Sequence, residues 1–118
     1  MKILLFLLPV ALLSGNLQFT YLSAARSPPA VARSAAEVYR KYCSSCHGLD
    51  GQAKTLKAKF NHARNIADPA WQNEVGDERI FNSIMNGRNV RGNMPAFSKK
   101  ISEEEADALV TYVRGLKK

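Results

Sequence analysis

Three of the chain's four cysteine and histidine residues fall in one run, Cys43-Ser44-Ser45-Cys46-His47. On a helix, thiols three residues apart lie one turn apart on the same face, so both can bond to one rigid group. The adjacent imidazole offers a nitrogen to a metal at the centre of that group. This is the spacing through which a haem is attached by two thioethers, with the histidine as an axial ligand of the iron. Irreversible bonds of this kind retain the haem within a thin protein shell. Three rival chemistries use the same residues. A disulfide between Cys43 and Cys46 leaves His47 without a role. A thiol–disulfide redox site expects the pair after a strand, at a helix start in a βαβ setting, whereas here it closes a helical pattern. A zinc site on Cys43, Cys46, His47 and His62 has the right ligand number, but neighbouring Cys46 and His47 chelate one tetrahedral ion awkwardly.

An iron held by one histidine has a sixth position to fill, and Met85, Met94 and His62 are the candidates in the mature chain. Met85 lies on an apolar helical stripe and is explained by packing. His62 sits in the polar stretch Phe60-Asn61-His62-Ala63-Arg64 and is explained by solvent. Met94 follows Gly92-Asn93 and precedes Pro95, whose fixed φ stiffens a loop. Met94 is therefore the favoured ligand, with the other two left as alternatives. An iron with His and Met axial ligands has no open position, and the thioether stabilises its ferrous form and raises the potential.

The elements that must position these residues are helical. Ala35, Val38, Tyr39, Tyr42, Cys43 and Cys46 recur at intervals of three and four residues, which draws one apolar face running into the motif. A polar, lysine-bearing loop is expected from Gly48 to Asn65. Asp68-Pro69 reads as an N-cap followed by proline at the first helical position, opening a short helix that carries Trp71. Ile80, Phe81, Ile84 and Met85 mark a helix over Asp77 to Asn86, stopped at Gly87. An irregular loop follows from Arg88 to Lys100. Ser102 and Glu105 form a capping box ahead of the stripe Ala106, Leu109, Val110, Val113 and Leu116. No alternating strand pattern and no repeat interrupts this series. The expected fold is all-α, with three to five short helices around one covalently attached haem.

At 118 residues and 13.1 kDa the chain suits one domain. Two cysteines exclude a disulfide scaffold and a multi-cysteine zinc module. Met1-Lys2, the apolar run Ile3 to Leu13 and the small residues Ser23-Ala24-Ala25 describe a secretory signal peptide over residues 1–25. Cleavage after Gly15 or Ala32 competes with cleavage after Ala25. The alternative is an uncleaved anchor, because no charge occurs between Lys2 and Arg26. Residues 26–34, with Pro28-Pro29, read as a linker, and the folded domain is expected over 35–118. The net charge is +7. Lys54, Lys57, Lys59 and Arg64 gather in one loop, and Arg88, Arg91, Lys99 and Lys100 flank Met94. Such clusters steer acidic partners, whereas nucleic acid is a poor partner for an exported haem protein.

From Ala35 to Lys118 the chain resembles the class I c-type cytochromes. The resemblance rests on Cys43-Ser44-Ser45-Cys46-His47-Gly48, on Met94-Pro95-Ala96-Phe97, and on a C-terminal amphipathic helix with Leu109 and Tyr112. It implies a cytochrome c-like fold whose first and last helices cross at a small residue and an aromatic, here Ala35 and Tyr39. It implies haem c bound through Cys43 and Cys46, with His47 and Met94 on the iron and Trp71 or Arg64 as propionate partners. The stretch Gly48 to Asn65 departs from the family in lacking the proline-leucine loop that packs on the histidine side. The implied function is one-electron transfer, without enzymatic activity, between redox proteins with acidic docking surfaces. The implied location is the periplasm or the outer face of a bacterial cytoplasmic membrane, with membrane attachment only if the N-terminal segment is retained. A sensory or enzymatic haem domain, a cytochrome subunit detached from a larger complex, and a thiol–disulfide enzyme are the competing readings.

Overall fold

Six helices succeed one another in the computed structural model, which describes residues 33–118: α1 Ala35–Tyr42, α2 Ser44–His47, α3 Leu56–Asn61, α4 Pro69–Glu74, α5 Asp77–Asn86 and α6 Glu103–Gly115. The segment read as a signal peptide, and the linker as far as Ala32, lie outside the described residues. No strand forms among the described residues, where an isolated antiparallel bridge joins Arg88 to Met94.

The helix starts follow from side chains able to satisfy the first free N–H groups. Ser34 and Glu37 form a capping box on α1, and Ser102 and Glu105 form one on α6. The Asp68 carboxylate accepts the Trp71 N–H at 3.3 Å, with Pro69 at the first position of α4. Arg33 and Ser34, at the end of the stretch read as a linker, are tied to this framework. The Arg33 guanidinium donates to the two Glu105 carboxylate oxygens at 2.8 and 2.7 Å and to the Lys100 carbonyl at 3.1 Å.

Six segments replace the expected three to five for two local reasons. The apolar face running into the motif is one helix only as far as Tyr42. The Ser44 hydroxyl donates to the Arg40 carbonyl at 2.7 Å, competing with the backbone for that acceptor, and α2 restarts beyond Cys43. The second addition is α3, within the stretch expected to be a loop. Thr55 caps it, accepting the Ala58 N–H at 2.9 Å, and His62 ends it in the left-handed region at φ 50°.

The core is a helical sandwich of α1, α5 and α6. Val38 and Tyr39 pack with Ile80, Ile84, Ala106, Leu109, Val110 and Val113, and Phe97 and Ile101 close the cluster. Tyr39 is 1% exposed, its ring centroid 4.9 Å from that of Tyr112 on α6. Its hydroxyl donates to the Gly48 carbonyl at 2.7 Å, and burial pushes its pKa well up, so it remains a neutral donor. This contact joins the α1–α6 crossing to the end of the Cys-X-X-Cys-His turn. α4 is held by two polar clasps. Gln72 donates to the carbonyls of Ile66 at 2.7 Å and Val113 at 2.8 Å. Arg114 donates to the carbonyls of Gln72 and Val75, both at 2.6 Å, occupying acceptors that the end of α4 leaves free.

Candidate functional site

The helices and their connecting loops line a half-open cavity of about 1320 Å³, larger than the ~300–1,000 Å³ of ordinary small-molecule clefts. Cys43, Cys46 and His47 line it from the α1–α2 turn, Trp71 from α4, Ile80 and Ile84 from α5, and Leu109 and Val113 from α6. The loop between α5 and α6 contributes Met94, Pro95 and Phe97. All six site residues named from the sequence, Cys43, Cys46, His47, Met94, Trp71 and Arg64, reach this one space.

The α1–α2 turn brings the two thiols and the imidazole in together. Both cysteines are free thiols and half-buried, so they are not spent on a bond to each other. Burial, with the neighbouring Cys46, pushes the Cys43 thiol up to about 11. A nucleophilic redox thiol needs the opposite shift, which argues against thiol–disulfide chemistry. No three His, Cys, Asp or Glu side chains converge among the described residues in a way that could hold a metal ion, so the rival zinc set of Cys43, Cys46, His47 and His62 does not assemble.

His47 Nδ1 lies 2.9 Å from the Arg64 carbonyl oxygen. A carbonyl only accepts, so Nδ1 carries the proton and the lone pair of a neutral ring is on Nε2, the nitrogen available to a metal. Burial lowers the His47 pKa, opposed by the Arg64 carbonyl, which favours the charged ring. The net downward shift favours the neutral, ligating form. In a stretch without the proline-leucine loop, the backbone carbonyl of residue 64 thus orients the ring. Sequence reasoning looked only at the Arg64 side chain, and a carbonyl carries no side-chain signal.

Met94 packs against the core, and its main chain is held by backbone hydrogen bonds. Its N–H donates to the Arg88 carbonyl at 3.0 Å, and its own carbonyl accepts the Arg88 N–H at 2.8 Å. The loop returns to α5 through the Phe97 N–H, which donates to the Ile84 carbonyl at 3.0 Å. Gly87 makes this possible twice over. Its φ is +75°, and a Cβ there would lie 2.7 Å from the Met94 carbonyl oxygen. The rival sixth-position residues separate cleanly. Met85 packs against the core and does not line the cavity. His62 lines it but is an exposed residue at the left-handed end of α3.

The size of the cavity, its apolar helical walls, the paired thiols and the oriented imidazole fit a covalently attached haem. Lys57, Arg64, Arg79, Arg88, Arg91 and Lys100 also line the cavity; of these, Arg79 had not been singled out from the sequence. Beside Lys57 and Lys59, α3 carries two apolar side chains in solvent, Leu56 at 74% and Phe60 at 84% exposure. No helix among the described residues is long and apolar enough to cross a membrane.

Known proteins resemble the chain over this same region. The family model for cytochrome c oxidase, cbb3-type, subunit III matches residues 30–113. The cbb3-type cytochrome c oxidase subunit FixP of Azorhizobium caulinodans is 31% identical over 85 residues, covering 72% of this chain and 27% of FixP. Subunit CcoP of Azospirillum brasilense is 29% identical over 87 residues, covering 74% of this chain and 29% of CcoP. The chain therefore spans less than a third of the length of these curated relatives. Among solved structures, the c-type cytochrome KustC0563 superposes with a TM-score of 0.65 at 38% identity, over 73% of this chain and 100% of that one. A tyrosine-to-phenylalanine variant of it gives 0.62 at 36% identity, over 72% and 100%. With the family match running from ahead of α1 into the last turn of α6, the chain belongs to the cbb3-type cytochrome c oxidase subunit III family and is an electron-transfer cytochrome of the class I c type, in which haem c is the covalent cofactor.

Proposed function

We propose that this chain is an exported monohaem carrier that moves one electron at a time between redox proteins and has no catalytic activity of its own. Cys43 and Cys46 would hold the haem by thioethers, and His47 Nε2 and the Met94 sulfur would ligate its iron. The observation that carries this reading is the convergence of both thiols, the oriented His47 ring and Met94 on one cavity. When bound, the haem supplies a one-electron iron couple.

The rest is the work of side chains. Cys43 and Cys46 would hold the haem as thioether sulfurs, which would leave no free thiol at the site. His47 is held in the tautomer that presents Nε2, and the Arg64 carbonyl retains its Nδ1 proton. Ile80, Ile84, Leu109 and Val113 exclude water from the cavity walls. Trp71 and Arg64 are the proposed propionate partners, and Arg79 also lines the cavity.

The cationic lining residues, with Lys54, Lys59 and Lys99 in the adjoining segments, favour approach of an acidic partner. The outward Leu56 and Phe60 give that partner an apolar contact. The relatives' names place them in a cbb3-type oxidase, which favours partners that are themselves respiratory complexes. Residues 1–25 serve as the export signal, or as an anchor if retained, with 26–34 as the linker. The domain works in the periplasm or at the outer face of the cytoplasmic membrane.

A visible spectrum of the chain matured in an exporting, haem-attaching host tests the reading. Sharp reduced bands of a covalent haem, with a weak far-red sulfur-to-iron absorbance in the oxidised form, are expected. Haem bands without the far-red feature, together with carbon monoxide binding by the reduced protein, would replace the carrier with a sensory or catalytic domain.

A further inference from the structure

One short stretch of backbone, residues 61–64, touches both sides of the proposed iron site. At its far end the Arg64 carbonyl oxygen holds His47 Nδ1 at 2.9 Å. At its near end the Asn61 carbonyl accepts the N–H of Asn93, the neighbour of Met94, at 3.0 Å. The stretch is anchored from behind. The Ala63 N–H donates to the Ala58 carbonyl at 2.9 Å, and the Asn61 amide donates to the Lys57 carbonyl at 3.0 Å.

Gly92 is where the Met94 loop meets this stretch. A Cβ built there would lie 2.7 Å from the Asn61 carbonyl oxygen and 2.7 Å from that of His62. These are backbone atoms, which cannot rotate out of the way. Gly92 is not among the glycines with positive φ, which are Gly48, Gly51 and Gly87. Its φ therefore does not itself call for glycine, whereas the closeness of the two backbones does.

We propose that residues 61–64 form a brace that sets the His47 ring and the Met94 loop together, with Gly92 as the positioning residue that lets the brace close. Release of the Met94 loop then loosens the His47 ring, and the two proposed ligands respond as one unit. This rests on His47 and Met94 being the axial pair.

The test compares haem-loaded parent, Gly92→Ala and Gly115→Ala; a Cβ at position 115 meets nothing within 4 Å. Gly92→Ala is expected to keep its covalent haem and helical content while losing the far-red absorbance. It is also expected to speed solvent exchange of the His47 Nδ1 proton, read by NMR of the reduced protein, by at least about tenfold. Gly115→Ala should match the parent in both. A parent with the far-red band and a Gly92→Ala protein unchanged in both readouts would overturn the brace alone. Loss of the band with the Nδ1 proton unmoved would overturn the coupling and confine Gly92 to Met94. A parent without the band overturns the axial reading and the brace with it. If Gly92→Ala does not mature, warming the parent decides. Coincident loss of the band and of Nδ1 proton protection, below the melting of the helices, supports the brace. A Nδ1 proton that outlasts the band overturns it.

Discussion

His47 and Met94 line the same cavity but arrive there by different physical routes. His47 comes on α2, one residue after Cys46, so the turn that offers the imidazole also offers a thiol. Met94 comes on a loop whose course is set by main-chain contacts, through Arg88, Ile84 and Asn61, and by a glycine at position 87 that no other residue can replace without strain. The histidine side depends on local sequence for delivery and on one long-range contact, the Arg64 carbonyl, for the orientation of the ring. The methionine side depends on three distant pieces of backbone meeting correctly. Delivery of His47 to the cavity should tolerate most substitutions outside the motif, whereas the course of the Met94 loop should be the more easily disturbed.

The largest expected effect lies on the histidine side. Replacing Cys43 and Cys46 together with serine should abolish covalent haem and, with it, the apolar filling of the 1320 Å³ cavity. The loss should be comparable to the whole ~5–15 kcal/mol stability of a small domain, seen as disappearance of a cooperative thermal transition. A double variant that still melts cooperatively would show that the helices do not need the haem.

Met94→Ala should leave the haem attached and the helices intact, which is the contrast with the cysteine pair. The far-red absorbance should vanish and the reduced protein should bind carbon monoxide. The potential should fall by at least about a tenth of the ~0.8 V range set by axial ligands. An unchanged potential would remove Met94 from the iron and end the comparison.

A smaller effect concerns the cavity rim. Lys57→Glu with Lys100→Glu, two lysines that line the cavity, should slow oxidation by hexacyanoferrate about tenfold at low salt, and the difference should shrink as screening rises. A rate unaffected at low salt would separate the basic residues from the site of electron exit.

The smallest effect belongs to the scaffold shared by both sides. The Arg33 guanidinium, and then the Ser102 amide, hold the Glu105 carboxyl below the usual carboxylate range. A depressed folded pKa adds stability that is fully present above the unfolded value of about 4.3 and lost as pH falls through the folded value. Glu105→Gln should therefore melt a few degrees below the parent at neutral pH, with the gap closing in acid. A gap that persists at low pH would assign the effect to the capping geometry rather than to charge.

Much of this molecule was legible before any coordinates. The caps Asp68 and Ser102 act over three residues, and the stripe on α6 repeats every three or four, so each leaves a signal within a short window; Ser34, read as the end of a linker, caps α1 in the same way. The stop at Gly87 and the helix carrying Trp71 were legible for the same reason. α3 was not, because Leu56 and Phe60 point into solvent and produce no buried stripe to recognise. The break at Cys43 was hidden because the apolar spacing continues across it while the hydrogen bonding does not.

By itself, the sequence determined the thiol spacing and the adjacent imidazole on which the proposed attachment rests, since these are covalent facts of the chain. It also determined the helical class and the short list of residues able to reach an iron. The tertiary structure alone decided which nitrogen of His47 is free, which methionine faces the cavity, and why glycine stands at position 92. Each of these depends on a carbonyl or a backbone approach across many residues. Main-chain groups are chemically the same at every position, so their partners become visible only when the fold brings them together.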